Sequence, residues 1–138
     1  MTAGKEFGCN YIEVFRVITA KLLTNLIPRK GCFTLIQDLT DNDSFAEIVE
    51  NNPSIVIEFY ASWCKPCEKV FPIVEKLSAE MKDVTFYKVD TDKEPLLTMA
   101  LGAVKLPTVV FIKDGIVKDL LAGVHPEEQI LESIEKIK

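Results

Sequence analysis

The chain has 138 residues, 48% of them hydrophobic, and a formal net charge of −5, a length and apolar content that fit one domain whose core needs no disulfide or metal staple. Residues 1 to 33 carry five basic residues against two acidic ones, a net +3, which leaves the remainder at −8; so acidic a body, with no basic stripe, argues against nucleic-acid binding. The longest apolar stretch, Tyr11 to Ile27, is broken by Glu13, Arg16, Lys21 and Asn25, which argues against a membrane span and for a soluble protein.

In chain order, Tyr11, Phe15, Ile18, Leu22 and Leu26 fall on one helical face, and Pro28 to Gly31 ends the stretch. Residues 1–32 are therefore read as an N-terminal helical extension, and residues 33–138 as the main domain. The extension has three readings. A secretory signal is opposed by the charges and the lack of a small-residue cleavage site. A mitochondrial presequence fits the positive amphipathic character but not Glu6 and Glu13. The third is an extra helix that docks on the domain or caps a partner surface.

Phe33 to Ile36 supplies an edge strand, and Asp43 or Thr40 caps a helix from Phe45 to Glu50. Ser54 to Tyr60 is a nearly continuous β-branched and aromatic run, as expected of a central strand covered on both faces, and Glu58 is its anomaly. Val70, Ile73, Val74 and Leu77 recur at helical spacing around Pro72, which predicts a kinked helix. Val84 to Val89 reads as a strand, and Asp92 with Pro95 starts a short helix ending near Gly102. Thr108 to Ile112 and Ile116 to Leu121, joined by Lys113-Asp114-Gly115, form an antiparallel hairpin. Pro126, Glu127 and Glu128 open a last helix with Ile130, Leu131, Ile134 and Ile137 as its stripe. The order β-α-β-α-β-α-β-β-α describes an α/β layered domain with a mixed sheet.

Of the four cysteines, Cys9, Cys32, Cys64 and Cys67, only the last two form a close pair. At a strand-to-helix junction, Cys64 would occupy the helix N-terminus, where unpaired N–H groups and the helix dipole stabilise a thiolate. Cys67, one turn in, would be more buried. Pro66 stiffens the turn without removing a hydrogen bond the helix needs, and Lys65 places a solvent-screened positive charge beside the nucleophile. A zinc half-site would need two more ligands, and Cys9, Cys32 and His125 supply no second close pair; Cys9 and Cys32 are read as free thiols and His125 as a surface residue. Glu58, inside an apolar run, is read as a buried acid with raised pKa, suited to taking a proton from Cys67.

The run Glu58-Phe59-Tyr60-Ala61-Ser62-Trp63-Cys64-Lys65-Pro66-Cys67 resembles the thioredoxin active-site signature. Leu106-Pro107-Thr108 resembles that family's cis-proline loop, Pro72 its helix kink, Gly115 its hairpin tip and Gly123 its glycine beside the active site. The resemblance covers roughly Phe33 to Lys138. It departs at Lys65, where glycine is usual, at Glu58, where aspartate is common, and at Tyr60, usually tryptophan. It implies the thioredoxin fold, a mixed central sheet flanked by helices. It also implies a thiol–disulfide oxidoreductase that reduces protein disulfides: Cys64 attacks, Cys67 resolves and Glu58 assists, while Trp63, Lys65, Pro66, Leu106, Pro107 and Gly123 contact the substrate. The expected electron donor is an NADPH-dependent thioredoxin reductase; the chain carries no Gly-rich dinucleotide fingerprint, and neither cofactor nor metal is expected. A cytoplasmic monomer is expected, with the mitochondrial matrix as the alternative location. The rival readings are a disulfide oxidase or isomerase on the same fold, and a non-catalytic adaptor.

Overall fold

The computed structural model describes residues 36–138. The expected N-terminal helix, Cys9, Cys32 and residues 33–35 of the expected edge strand lie outside the described residues. Within them the elements run β1 (Ile36–Asp38), α1 (Phe45–Asn51), β2 (Ser54–Tyr60), α2 (Cys67–Glu80), β3 (Thr85–Asp90), α3 (Pro95–Ala100), β4 (Thr108–Lys113), β5 (Ile116–Ala122) and α4 (Glu127–Glu135), the order expected from the sequence. The strands form one sheet in the order β1-β3-β2-β4-β5. The β1, β3 and β2 strands are parallel, and β4 runs antiparallel to both β2 and β5.

The sheet buries both faces because alternate residues of β2 feed two separate cores. Val56 joins Phe86, Val109 and Phe111 against Val70, Val74 and Leu77 of α2 and Ile130 and Ile134 of α4. Ile55, Ile57 and Phe59 join Tyr87, Val89, Val110 and Ile112 against Leu97 of α3, with Phe45, Ile48 and Val49 of α1 packed alongside. By the same alternation Glu58 shares the side of Val56, the side covered by α2. That parity is what carries a carboxyl group into the interior beneath the cysteine motif.

Local signals set the element ends, not always those expected. The cap of α1 is Ser44, whose hydroxyl accepts from the Glu47 N–H at 3.4 Å. The Asp43 carboxylate is taken up by the Thr40 N–H at 2.7 Å and the Thr40 hydroxyl at 2.9 Å, so neither Asp43 nor Thr40 remains for the helix. The first turn of α3 begins on Pro95, as proline favours. It is capped from a distance: Asp41 accepts from the Leu96 and Leu97 N–H groups at 3.2 and 2.9 Å. The α2 helix continues through Pro72. The hairpin turns on Asp114 (φ 49°) and Gly115 (φ 79°), the pair of left-handed residues that a two-residue turn matched to strand twist requires. The β4–β5 pairing then shifts register between Phe111 and Ile112.

Candidate active site

After Tyr60 the chain leaves the sheet, and Cys64 N–H donates to the Ala61 carbonyl at 3.1 Å in a tight turn. Lys65 and Pro66 continue that turn into α2: Glu68 N–H donates to Lys65 O and Lys69 N–H to Pro66 O, each at 3.1 Å. Pro66 holds helical backbone angles, φ −60° and ψ −27°, as the cap. The helix therefore begins at Cys67, and Cys64 stands one turn before it, at the dipole's positive end but not within the helix. The two cysteines form a disulfide, with their Cα atoms 5.4 Å apart. In this state both are 5% exposed, so the expected contrast between an open Cys64 and a hidden Cys67 is absent from the disulfide form. Trp63 and Lys65, on either side of Cys64, are exposed.

Beneath the pair, Glu58 is 0% exposed, and neither carboxyl oxygen has a hydrogen-bond partner among the described residues. Burial pushes its pKa from 4.5 to about 8, against the opposing pull of the Lys88 ammonium. An isolated carboxylate in an apolar interior is expensive to form, which is why the proton stays on. Lys88 is the register partner of Glu58 on β3. Its ammonium lies 3.6 Å from Asp38 Oδ1 and 5.9 Å from the centre of the Phe71 ring. Glu58, Cys64, Cys67, Phe71 and Lys88 all line one cavity of about 410 Å³.

The disulfide also has an apolar neighbour. Leu106 packs against Cys64, Cys67 and Ala61. The Leu106–Pro107 peptide bond is cis, and Gly123 N–H donates to the Pro107 carbonyl at 2.7 Å, tying the end of β5 to this loop. Trp63, 67% exposed, is held by a 2.8 Å hydrogen bond from its indole N–H to Asp92 Oδ2. Lys65 faces Glu68 at 3.6 Å, both side chains being exposed. The site residues read from the sequence thus fall into two groups around the disulfide: Glu58 on the cavity side, and Leu106, Pro107 and Gly123 on the apolar flank, with Trp63 and Lys65 at the rim. Lys88 and Asp92 were not read from the sequence as site residues. Lys88 carried one signal, a cation in the short strand Thr85–Asp90 that runs beside the Glu58 strand.

Three comparisons bear on this geometry. The family model described as Thioredoxin matches residues 36–136. Thioredoxin of Mycoplasmoides gallisepticum is 31% identical over 100 residues, covering 72% of this chain and 100% of that protein. "Thioredoxin M4, chloroplastic" of Arabidopsis thaliana is 32% identical over 102 residues, 73% of this chain and 53% of that protein, so the chain spans about half the length of this plastid relative. The crystal structure of mitochondrial thioredoxin 3 from Saccharomyces cerevisiae in its oxidised form superposes with a TM-score of 0.68 at 32% identity, covering 75% of this chain and 97% of that one.

Proposed function

The chain belongs to the thioredoxin family of thiol–disulfide oxidoreductases, and we propose that it reduces protein disulfides through Cys64 and Cys67. In the first step the Cys64 thiolate attacks a substrate disulfide, forming a mixed disulfide and releasing one substrate sulfur as thiolate. In the second, Cys67 loses its proton and attacks the Cys64 sulfur. The other substrate sulfur leaves, and the Cys64–Cys67 disulfide forms; two electrons have passed to the substrate. The position of Cys64 before the helix, between exposed Trp63 and Lys65, supports its role as the attacking thiol. The place of Cys67 at the start of α2, on a cavity shared with Glu58, supports its role as the resolving one.

The observation that carries this reading is Glu58, buried and unpartnered under the disulfide with a pKa of about 8. A carboxyl group that titrates in the range of thiols exchanges a proton with Cys67 in either direction. It accepts the proton as Cys67 resolves the mixed disulfide, and returns it when a reductant attacks Cys64 and Cys67 leaves. Leu106, Pro107 and Gly123 give the substrate an apolar bed, with the loop backbone open to pair with an extended segment. Trp63, fixed by Asp92, and the turn residues Lys65 and Pro66 complete that contact surface.

Re-reduction falls to an NADPH-dependent thioredoxin reductase, which makes the chain an electron carrier in cellular redox homeostasis. The chemistry is assigned to the domain 33–138, with residues 1–32 read as an N-terminal extension dispensable for it. The chain works as a monomer in the cytoplasm, with the mitochondrial matrix as the alternative. No helix among the described residues is long and apolar enough to cross a membrane.

The test is covalent trapping. With Cys67→Ser, attack proceeds but no internal thiol resolves the product, so a disulfide-containing protein such as insulin accumulates as a mixed disulfide on Cys64; with Cys64→Ser it does not. Trapping by Cys64→Ser alone reverses the two roles. Absence of trapping by either variant, with no turnover by the wild type, refutes the enzymatic reading.

A further inference from the structure

On the substrate-facing flank of the disulfide, Lys105 precedes Leu106 and the cis bond to Pro107. Its backbone is fixed, because the buried Thr108 hydroxyl donates to the Lys105 carbonyl. Its side chain is exposed and lies over Gly123. A Cβ built on that glycine would be 4.0 Å from Lys105 Cε and 3.8 Å from Nζ. The end of the side chain, ammonium included, thus lies against Gly123, whose N–H is bonded to Pro107 O, and so sits beside the loop that carries Leu106 and Pro107.

Two charged side chains beside the cysteine motif have partners of their own. Lys65 is set against Glu68 at 3.6 Å, and the Asp92 carboxylate accepts the Trp63 indole N–H at 2.8 Å. Lys105 has no ion-pair partner among the described residues, although the chain beyond residue 33 carries a net charge of −8. An unpaired cation on an acidic body, beside the loop proposed above to pair with an extended segment, favours one side-chain chemistry in that segment. We propose that Lys105 is a specificity-determining residue that selects disulfides flanked by aspartate or glutamate, within roughly two residues of the attacked cysteine given a strand rise of about 3.3 Å per residue. This rests on the oxidoreductase reading above.

The test uses two peptides, each with one intramolecular disulfide, identical except for glutamate or lysine beside the first cysteine. The full chain, reduced beforehand, is mixed with each peptide and quenched with acid, and the appearance of oxidised protein gives the second-order rate constant. Each turnover breaks the peptide disulfide, forms the Cys64–Cys67 disulfide and leaves two protons on the peptide thiols. At low salt the wild type should oxidise roughly threefold to tenfold faster with the glutamate peptide, the range open to an exposed ion pair gained in one case and a repulsion in the other. The ratio should fall towards one in molar salt, flatten in Lys105→Gln and invert in Lys105→Glu. Equal wild-type rates with both peptides overturn the assignment of Lys105 and leave the oxidoreductase reading standing, as does a ratio that Lys105→Gln does not change. Failure of the reduced wild type to react with either peptide overturns both.

Discussion

Replacing Glu58 by Gln should stabilise the disulfide form of the protein, and by an amount that grows with pH. In the folded state the carboxyl group holds its proton up to about pH 8, whereas its ordinary value is 4.5, and the cause is burial. A raised acid contributes stability that is fully present below pH 4.5 and is lost as the pH rises through about 8, because between those values the folded state binds more protons than the unfolded one. Each pH unit in that window is worth about 1.36 kcal/mol. The loss therefore reaches about 3 kcal/mol at pH 7 and roughly 5 kcal/mol at pH 9. Gln keeps the volume and cannot ionise, so its own burial cost is the same at every pH. Urea unfolding of both proteins at pH 5, 7 and 9, with the Cys64–Cys67 disulfide intact so that neither thiol titrates, isolates this contribution. The gap between variant and wild type should widen by about 4 kcal/mol from pH 5 to pH 9, a relative midpoint shift of ~2 M if the slope is near 2 kcal/mol/M. A gap constant to within about 0.5 kcal/mol over that range would refute the reasoning, because it would mean that Glu58 is solvated and ionised at neutral pH like any surface acid.

Two further substitutions probe the frame around the site. Asp119 on β5 accepts from the Ser133 hydroxyl and the Lys136 ammonium, each at 2.7 Å, and these bonds hold its pKa below the usual 3.8; Asp119→Ala should cost about 1 to 2 kcal/mol in urea unfolding at pH 7. Because the shift is downward, that contribution is present above pH 3.8 and is lost as the pH falls through the lower folded value, so the gap between the two proteins should shrink as the pH is taken below 3.8, as measured by acid titration of the fold. At the hairpin tip, Gly115 has φ +79° and an added Cβ would lie 2.9 Å from Val49 Cγ1; Gly115→Ala should cost roughly 1 to 2 kcal/mol and lower Tm by about 5 to 10 °C in a calorimetric scan.

What the sequence discloses is what depends on neighbours in the chain. The strand Ser54–Tyr60 betrays itself by composition, and Glu58 is visible as a site residue because a lone acid in such a run has no solvated face to turn to. The hairpin follows from Asp114-Gly115, since the turn type and the residue types are the same constraint. Features that depend on strand order are hidden. Lys88 reads as an ordinary solvent-facing lysine until β3 is known to lie beside β2 with Lys88 opposite Glu58. The same holds for Asp41, which caps a helix 55 residues away, and for Asp92, which holds the indole of Trp63. The cap of α1 fails for a local reason: Thr40, Asp43 and Ser44 are all competent, and only folding shows that Asp43 is consumed by Thr40. The cis bond before Pro107 was legible through family resemblance alone, because a proline opening a strand reads alike in either isomer.

The burial that makes Glu58 costly is also what suits it to the proton exchange with Cys67 proposed above. A solvated glutamate with a pKa near 4.3 would be almost wholly ionised at pH 7, able to accept a proton from Cys67 but unable to give one back to a departing thiolate. Raised to about 8, the same group is mostly protonated at neutral pH, with about a tenth of molecules ionised, so both directions of exchange remain open. The Lys88 ammonium, which pulls the value down, keeps the ionised fraction from vanishing, and its contact with Asp38 on the edge strand anchors it at the cavity wall. In the role proposed for Glu58, reversible thiol chemistry at this site draws on a sheet position that a stability-optimised protein would fill with valine or leucine.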